Sequence, residues 1–522
     1  MRPRLSAALM AGRAAAVLSR RLGRGGGTVI AGHLVPRIAP GALREVTRSL
    51  PNGSIVVSGT NGKTTTTRLI SHILSSAGMR PIHNRAGANL LSGLFTAVAQ
   101  GTDWQARPRG DVGLFEVDEA TIPSALQHIQ PRVLLLHNIF RDQLDRYGEV
   151  HFVAGLWREA IARLPSTSTV LLNADDPLVA GLPVPSTEET RGHSADDPRA
   201  VPALLPIEDV RYVSPSPAAS GESPPRLPKD SAYAGADRAA SRESPPRAKI
   251  LTYGIADPAV GVPAQPHAAD ARLCPRCGAP LDYGVFFYGH LGHYACSRCG
   301  FARPNPSVSA TSVELLGDAG SNMAVATPDG LVRARLQLPG LYNVYNALAA
   351  VAVCMALGVR RDMIVRGLET FTTAFGRLER IQVEGRQLFL TLVKNPVGFT
   401  EVLRTVLATP GRRTLLIAIN DLFADGTDVS WLWDVEFERL ADRVNVAVCS
   451  GSRAEDMAVR LKYAGVEPER IRVESDFRRA IELVLGAAEP AETVYVLPTY
   501  TAMLGMRDIL RQTGYVRSFW DE

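Results

Sequence analysis

Residues Ser54–Gly78, SIVVSGTNGKTTTTRLISHILSSAG, govern how the rest of the chain is read. Ile55–Val57 is a short apolar strand and Gly59–Gly62 a tight loop. Lys63 onward is a helix with Leu69, Ile70, Ile73, Leu74 and Ala77 on one face, and Gly78 ends it. A strand feeding a glycine loop and a helix N-terminus points backbone N–H groups and a positive dipole end at one spot, which suits a polyphosphate. Lys63 can then reach phosphate oxygens, and the Thr64 hydroxyl can hold Mg²⁺. The longer form of this motif needs a glycine at position 57, where the chain has Val57, so the pattern is the shorter G-x-x-G-K-T. A lone glycine turn can be purely structural. GKT between an apolar strand and an amphipathic helix is the arrangement that binds nucleotide.

Outward from this loop, a chain of 522 residues is long enough for about three domains. With 21% charged and 46% hydrophobic residues it has the composition of an ordinary globular protein, and a net charge of +5 is too small at this size to argue for nucleic acid. Four of the six cysteines form two C-x-x-C pairs, which points to metal rather than disulfides and so to a reducing compartment, the cytoplasm. No stretch is long enough to span a bilayer. Residues 5–22 read as an amphipathic helix within an N-terminal segment, 1–50. Arg2, Arg4, Arg13, Arg20, Arg21 and Arg24 could meet anionic lipid at the inner face of a membrane, but a solvated basic face is the simpler reading.

After the loop, apolar strands alternate with helical patterns, as in a parallel α/β sheet: Asp111–Val117, Arg132–His137 and Thr169–Asn173. Functional groups in such sheets collect past the carboxyl ends of strands. Those positions hold Glu116, Asp118 and Glu119; then Asn138, Asp142 and Asp145; then Asn173, Asp175 and Asp176. Three such clusters in one nucleotide domain are expected to handle Mg²⁺ and phosphate. From about 184 to 247 the chain turns to Pro, Ala, Ser and mixed charge, too poor in large apolar residues to order itself.

Order resumes at Lys249–Tyr253. Cys274, Cys277, Cys296 and Cys299 then give C-x₂-C-x₁₈-C-x₂-C, the spacing of a zinc ribbon, over about 262–305. Four thiolates close the shell of a Zn²⁺ ion, so this site is structural; His290 and His293 read as loop residues. Leu338–Gly358 leads into an apolar helix with Asn343 and Asn346 on its first turn, where amides could meet nucleotide or substrate. Phe375–Glu379 marks a boundary, with Arg377 able to contact nucleotide. A second α/β unit follows, with strands Arg386–Val393, Thr414–Ile419, Val444–Val448 and Thr493–Leu497. After its second strand lies NDLFADGTDVSWLWDVEFE, which sets Asp421, Asp425, Asp428 and Asp434 around Trp431 and Trp433. Turn chemistry explains Asp425-Gly426 but not the whole block, for which a functional role is expected.

GTNGKTTTTRL at 59–69, EVDE at 116–119, LLHNIFRDQLDRYGE at 135–149, LNADDP at 172–177, LPGLYNVYNALAA at 338–350 and GRLE at 376–379 resemble the Mur ligases, ATP-dependent amide-forming enzymes of peptidoglycan synthesis. The four-cysteine insertion, KNPVGFTEVL at 394–403 and the Asp/Trp block resemble the branch that serves lipid II isoglutaminyl synthases. The resemblance implies an α/β fold: a Mur ligase-like central P-loop ATPase domain over 51–375 with an inserted zinc ribbon, then a Rossmann-like C-terminal domain of that branch over 376–522.

It also implies a chemistry. ATP would phosphorylate the α-carboxylate of D-glutamate in the lipid II stem peptide, and ammonia would attack the acyl phosphate to give D-isoglutamine. Carried over by position, Gly59, Thr60, Asn61, Gly62, Lys63, Thr64 and Thr65 would bind ATP and Mg²⁺, Glu116 would be the magnesium-associated glutamate, and Asn343 and Arg377 would contact nucleotide. Two departures from the family pattern stand out. Gln143 replaces the histidine usual in the D-H-M-D-type block, and residues 144–164 contain no lysine where many members carry a modified one, so a second metal site would have to be built differently. Ammonia would come from a partner, a GatD-type glutaminase forming a heterodimer, because Cys354 and Cys449 lack the setting of an activated nucleophile. In that branch an aspartate of the C-terminal domain completes the glutaminase Cys-His pair; Asp434 is the choice here and Asp428 the second. The rival readings are a stand-alone Mur-type or polyglutamate-type amino-acid ligase and, less well supported, a zinc-ribbon nucleic-acid-binding ATPase.

Overall fold

A parallel strand is covered on both faces, so its residues must be apolar in both directions, and alternate side chains must feed two cores. The strand Ser54–Ser58 (β1) does this: Ile55 and Val57 face one core, Val56 the other. The computed structural model describes residues 3–21, 28–84, 88–141, 150–183, 248–262, 270–372 and 377–516. The low-complexity stretch 184–247 and the candidates Asp142, Gln143 and Asp145 therefore lie outside the described residues.

Beyond β1, the strands are Pro81–His83 (β2), Val112–Glu116 (β3), Val133–Leu136 (β4), Thr169–Asn173 (β5), Lys249–Ile255 (β6), Asp282–Tyr288 (β7), Leu291–Ala295 (β8), Val308–Leu315 (β9), Ser321–Thr327 (β10) and Gly330–Leu336 (β11). All but β7 and β8 join one sheet in the order β11-β10-β9-β6-β5-β4-β1-β3-β2. The run from β2 to β9 is parallel, while β9, β10 and β11 form an antiparallel meander. The chain turns one way from β1 to reach β3 and the other way to reach β4, so β1 is where the strand order reverses and where such a sheet opens a crevice.

The loop helix Lys63–Ser76 packs Leu69, Ile70 and Ile73 on the β1 face, together with the apolar helix Leu341–Ala356. Its end is a Schellman cap. Gly78 takes φ +82°, its N–H donates to Ser75 O, and Met79 N–H donates to Leu74 O. On the opposite face Trp157 and Phe95 cover Val56, Phe115 and Leu134. At the N-terminus two arginines of the helix Pro3–Arg21 bond to neighbouring elements: Arg4 donates to Ile38 O, and Arg13 to Ala99 O and Thr102 Oγ1. Arg4 stays exposed while making its bond, whereas Arg13 is partly buried and does not belong to a solvated basic face. No helix among the described residues is long and apolar enough to cross a membrane.

A second sheet contains Arg377–Val383 (β12), Arg386–Thr391 (β13), Arg413–Ala418 (β14), Val444–Ser450 (β15), Ile471–Val473 (β16) and Thr493–Pro498 (β17), ordered β12-β13-β17-β14-β15-β16. All its pairings are parallel except β12 with β13.

The four cysteines close on one point, with all sulfurs within 4.8 Å of one another. Cys274–Cys299 and Cys277–Cys296 are each 3.6 Å apart, Sγ to Sγ. That is far beyond an S–S bond of about 2.05 Å, and close to the about 3.8 Å edge of a tetrahedron with Zn–S bonds of about 2.3 Å. The donor set fits Zn²⁺, which would cross-link the two turns and carry no chemistry. The β7–β8 hairpin between the turns is no free loop. His290, at its tip, is wholly buried with Nε2 3.3 Å from Asp176 Oδ1 and its ring 4.7 Å from that of Phe140. His293 lies on β8 and bonds Ile255 O. The loop reading therefore holds for His290, which sits in the hairpin turn although it is buried, and fails for His293, which belongs to β8. Metal analysis should find about one zinc per chain. Cys274→Ser or Cys299→Ser should lower zinc content and thermal midpoint together; a variant retaining both would remove the cross-link from the fold.

Candidate active site

The register of the sheet builds the site. Val57 pairs with Glu116 across β1 and β3, so the residues after each strand emerge side by side. Thr64 Oγ1 donates to Glu116 Oε1 at 2.9 Å, and Lys63 Nζ to Glu119 Oε2 at 2.7 Å with Asp118 Oδ1 3.7 Å away. Lys63 and Glu119 are 7% and 5% exposed. Burial works against the lysine charge, but Glu119, Asp118 and Glu116 overcome it and hold the ammonium above its ordinary pKa. Burial also lifts the Glu119 carboxyl to about 7, with Lys63 pulling it down, Asp118 pushing it up, and Lys394 of the second sheet's half pulling from the other side.

The loop backbone is shaped by what sits beneath it. Gly62, at φ +85°, lies so near the Leu341–Ala356 helix that a Cβ there would stand 2.1 Å from Asn346 Oδ1. Gly59, at φ +152°, is closed in by His137 Cβ, 2.8 Å from where its own Cβ would stand, and by the backbone of Asn138. Asn138 pairs with Asn61 in both directions, its Oδ1 accepting from Asn61 N and its Nδ2 donating to Asn61 O. His137 bridges Tyr253 OH and Asn346 Oδ1 through its two ring nitrogens. Burial drops its pKa to about 4, so the ring is neutral.

Asn346 also accepts from Thr66 Oγ1 and donates to Asn343 Oδ1. Asn343 itself is buried and donates to Pro339 O, which puts it one step behind the loop and makes Asn346 the amide that meets it. Thr60 reaches Phe140 through backbone and hydroxyl bonds. Thr65 is half-buried on the first turn of the loop helix. Arg377 begins β12, and its side chain lies outside the described residues.

The third strand-end cluster does not join the site. Asp175 accepts from Tyr345 OH, Ile255 N and Arg303, while Asp176 caps Leu178 and Val179 and accepts from Ile139 N. Both are fully buried, so the expectation that they handle metal fails: the ribbon and its hairpin cover that strand end. What does reach the loop is the second sheet's half. Asn395, capping the helix Pro396–Val406, exchanges amide hydrogen bonds with Asn61, at 2.9 and 3.3 Å. Its neighbour Lys394 was not singled out by sequence, although a basic residue before an N-cap asparagine was a legible sign.

The Asp/Trp block separates into distinct roles. Asp425 is buried and holds Thr501 by backbone and hydroxyl, Asp428 accepts from Ser430 N and Oγ, and Asp421 pairs with Arg453. Asp434 remains partly open, 45% exposed, and pairs with Arg141 at 3.1 Å.

The neutral histidine under the loop has a pH consequence. A pKa lowered from 6.5 to about 4 means stability that is complete above pH 6.5 and lost as pH falls toward 4. Between pH about 7 and about 4.5, His137→Gln should lose on the order of 2 kcal/mol less stability than the parent in urea titrations. Equal losses would remove His137 from the acid limb.

Residues 57–191 match the Mur ligase middle domain and residues 392–503 the MurT ligase C-terminal domain. The chain is 30% identical over 510 residues to the MurT subunit of lipid II isoglutaminyl synthase (glutamine-hydrolyzing) of Streptococcus pneumoniae, covering 98% of this chain and 97% of that one. It is 29% identical over 496 residues to the subunit of the same name from Staphylococcus aureus, covering 95% of each. Among solved structures, a pseudomurein peptide ligase type C from Methanothermus fervidus shares the fold with a TM-score of 0.60 at 20% identity, over 92% of this chain and 84% of that chain. A phosphate loop of this geometry, in a chain related along almost its whole length to such subunits, makes this protein a member of the MurT family of Mur ligases.

Proposed function

We propose that this protein is the ATP-dependent ligase subunit of a lipid II isoglutaminyl synthase, working at the cytoplasmic face of the membrane. Its nucleotide site transfers the γ-phosphoryl group of ATP to the α-carboxylate of D-glutamate in the stem peptide, releasing ADP. Ammonia then attacks the acyl carbon and inorganic phosphate leaves, giving D-isoglutamine. The observation that carries this reading is the direct contact of the phosphate loop with the second sheet's half, Asn61 to Asn395, in a chain that also presents an open carboxylate, Asp434.

Gly59–Thr65 cradle the phosphates, and Lys63 leaves Glu119 to neutralise them. The Thr64 hydroxyl and the Glu116 carboxylate, already in contact, are the oxygens that would hold Mg²⁺, which supplies positive charge to the phosphates. The Lys394 charge is felt at Glu119, holding its carboxyl down, and would favour the charge that develops on the transferred group. We assign nucleotide contacts to Asn346 and Arg377, with Asn343 orienting Asn346.

Ammonia needs a source, and this chain has none of its own. Burial raises both remaining thiols, Cys449 to about 12 and Cys354 further still, so neither is a nucleophile. A GatD-type glutaminase fits beside Asp434, where Trp433 (56% exposed) and Tyr463 (73%) stand with rings 5.8 Å apart, an aromatic pair of the kind enriched at protein interfaces. Asp434 would orient the partner's histidine as the acid of a triad.

Lys63→Ala should abolish ATP-dependent amidation, with or without glutamine, while the protein stays folded. Undiminished turnover would move the nucleotide site elsewhere. Asp434→Asn should leave the heterodimer assembled but remove glutamine-driven amidation, since an amide does not stabilise an imidazolium as a carboxylate does. Ammonium at a pH that supplies NH₃ should restore the rate. Failure of that rescue would assign Asp434 to the ligase reaction itself.

A further inference from the structure

We infer that Arg141 is the positioning residue for Asp434, and that it ties the glutaminase-facing carboxylate to the state of the phosphate loop. The inference rests on the reading of Asp434 given above. Arg141 follows β4, and its own placement leaves little freedom: its backbone N–H donates to Asp270 Oδ2 at 2.9 Å and its Nε to Asp270 Oδ1 at 2.6 Å. The Asp270 side chain is 3% exposed, so it is a fixed anchor. The remaining arm of the guanidinium reaches out, Nη2 standing 3.1 Å from Asp434 Oδ2. A planar guanidinium locked on one carboxylate presents its other edge in a set direction, which a lysine in that place would not do.

Asp434 is held from the other side as well. It ends the 3₁₀ turn Ser430–Asp434, whose Leu432 is buried. Arg460 donates to both Leu432 O and Val435 O, clamping the backbone before and after Asp434, and its guanidinium lies 5.3 Å from the Trp433 ring. Arg460 therefore fixes where Asp434 is, and Arg141 fixes which way its carboxylate turns. One oxygen is occupied, which leaves Oδ1 to accept from a partner imidazole, and an acid that orients a histidine needs such definition.

The same short segment runs back to the loop. Asn138 bonds Asn61, Phe140 N–H donates to Thr60 Oγ1, and Arg141 comes next. A shift of the loop on taking up nucleotide is transmitted over three residues to the guanidinium that sets Asp434. Glutamine hydrolysis would then answer to ATP occupancy, so ammonia is made when the acceptor can be activated.

The test uses the heterodimer with its glutaminase and compares the parent, Arg141→Met, Arg141→Lys, Asp434→Asn and the double variant Arg141→Met/Asp434→Asn. Arg141→Met should lower kcat for glutamine-driven amidation about tenfold or more with little change in the KM for glutamine and little change in the ammonium-driven rate. Arg141→Lys should recover part of the loss. The double variant should be no worse than Asp434→Asn alone. A non-hydrolysable ATP analogue should change the glutamine hydrolysis rate of the parent and leave that of Arg141→Met flat. If Asp434→Asn abolishes glutamine-driven activity while Arg141→Met does not alter it, the positioning role is overturned and the reading of Asp434 stands. An equal fall in the ammonium-driven rate of Arg141→Met overturns it too, because the residue then serves the ATP site. If Asp434→Asn leaves glutamine-driven activity intact, the reading of Asp434 itself fails, and the inference with it. Should Arg141→Met not fold, the Arg141→Lys variant is read by the same criteria; a parent indifferent to the analogue removes the link to the loop.

Discussion

A lysine ammonium shut away from water keeps its charge only where carboxylates surround it, and Lys63 sets that condition for the first sheet. Glu116, Asp118 and Glu119 meet it because β3 lies directly beside β1 in the register that pairs Val57 with Glu116. Removing a single carboxylate would leave a partly compensated buried charge, which is costly. Lys63 and Glu119 form the tightest of these contacts, at 2.7 Å.

The ribbon shapes the neighbouring part of the same sheet edge, past β4, β5 and β6. Between β6 and β9 the chain leaves the sheet, makes two cysteine turns and a hairpin, and returns, and the hairpin tip fills the space over Asp175 and Asp176. Tyr288 stacks edge-on against Tyr345, and Gly289 fits against Phe140 and Val397. Arg404, on the Pro396–Val406 helix, donates to Phe287 O. One hairpin thus touches the sheet end, the apolar helix behind the loop and the second sheet's half. The cysteine turns are thereby connected by packing to elements that flank the glycine loop.

Much of this was legible in the sequence, and the misses have physical reasons. Ser54–Gly78 and the strands at 111–117, 132–137 and 169–173 are found close to where expected, because continuous apolar runs and a glycine cap are local signals. The meander β9–β11 was not read, although Leu331–Leu336 alternates exposed and buried in the manner of a half-covered strand. Asp175 and Asp176 look identical in sequence to metal ligands. They are buried by groups far off in sequence: Arg303 and His290 of the ribbon, Ile255 of β6 and Tyr345 of the apolar helix, all beyond the 184–247 stretch. His137 was passed over for the opposite reason: a neutral histidine bridging a tyrosine and an asparagine is a three-body arrangement that no spacing announces. For Asn343 and Asn346 the turn was right, but which amide meets the loop depends on Gly62, whose missing side chain admits Asn346.

Two of the links between the halves of this protein differ in kind. Asn61 and Asn395 are joined by neutral amides, while Arg141 and Asp434 are joined by opposite charges, both partly open to solvent. Ions screen the second and scarcely touch the first, since at about 0.15 M salt charges are shielded over roughly 8 Å. The protein therefore carries a salt-indifferent joint at its phosphate loop and a salt-sensitive one at its outer edge. Rising ionic strength would loosen the outer joint first, leaving the halves docked while Asp434 turns more freely.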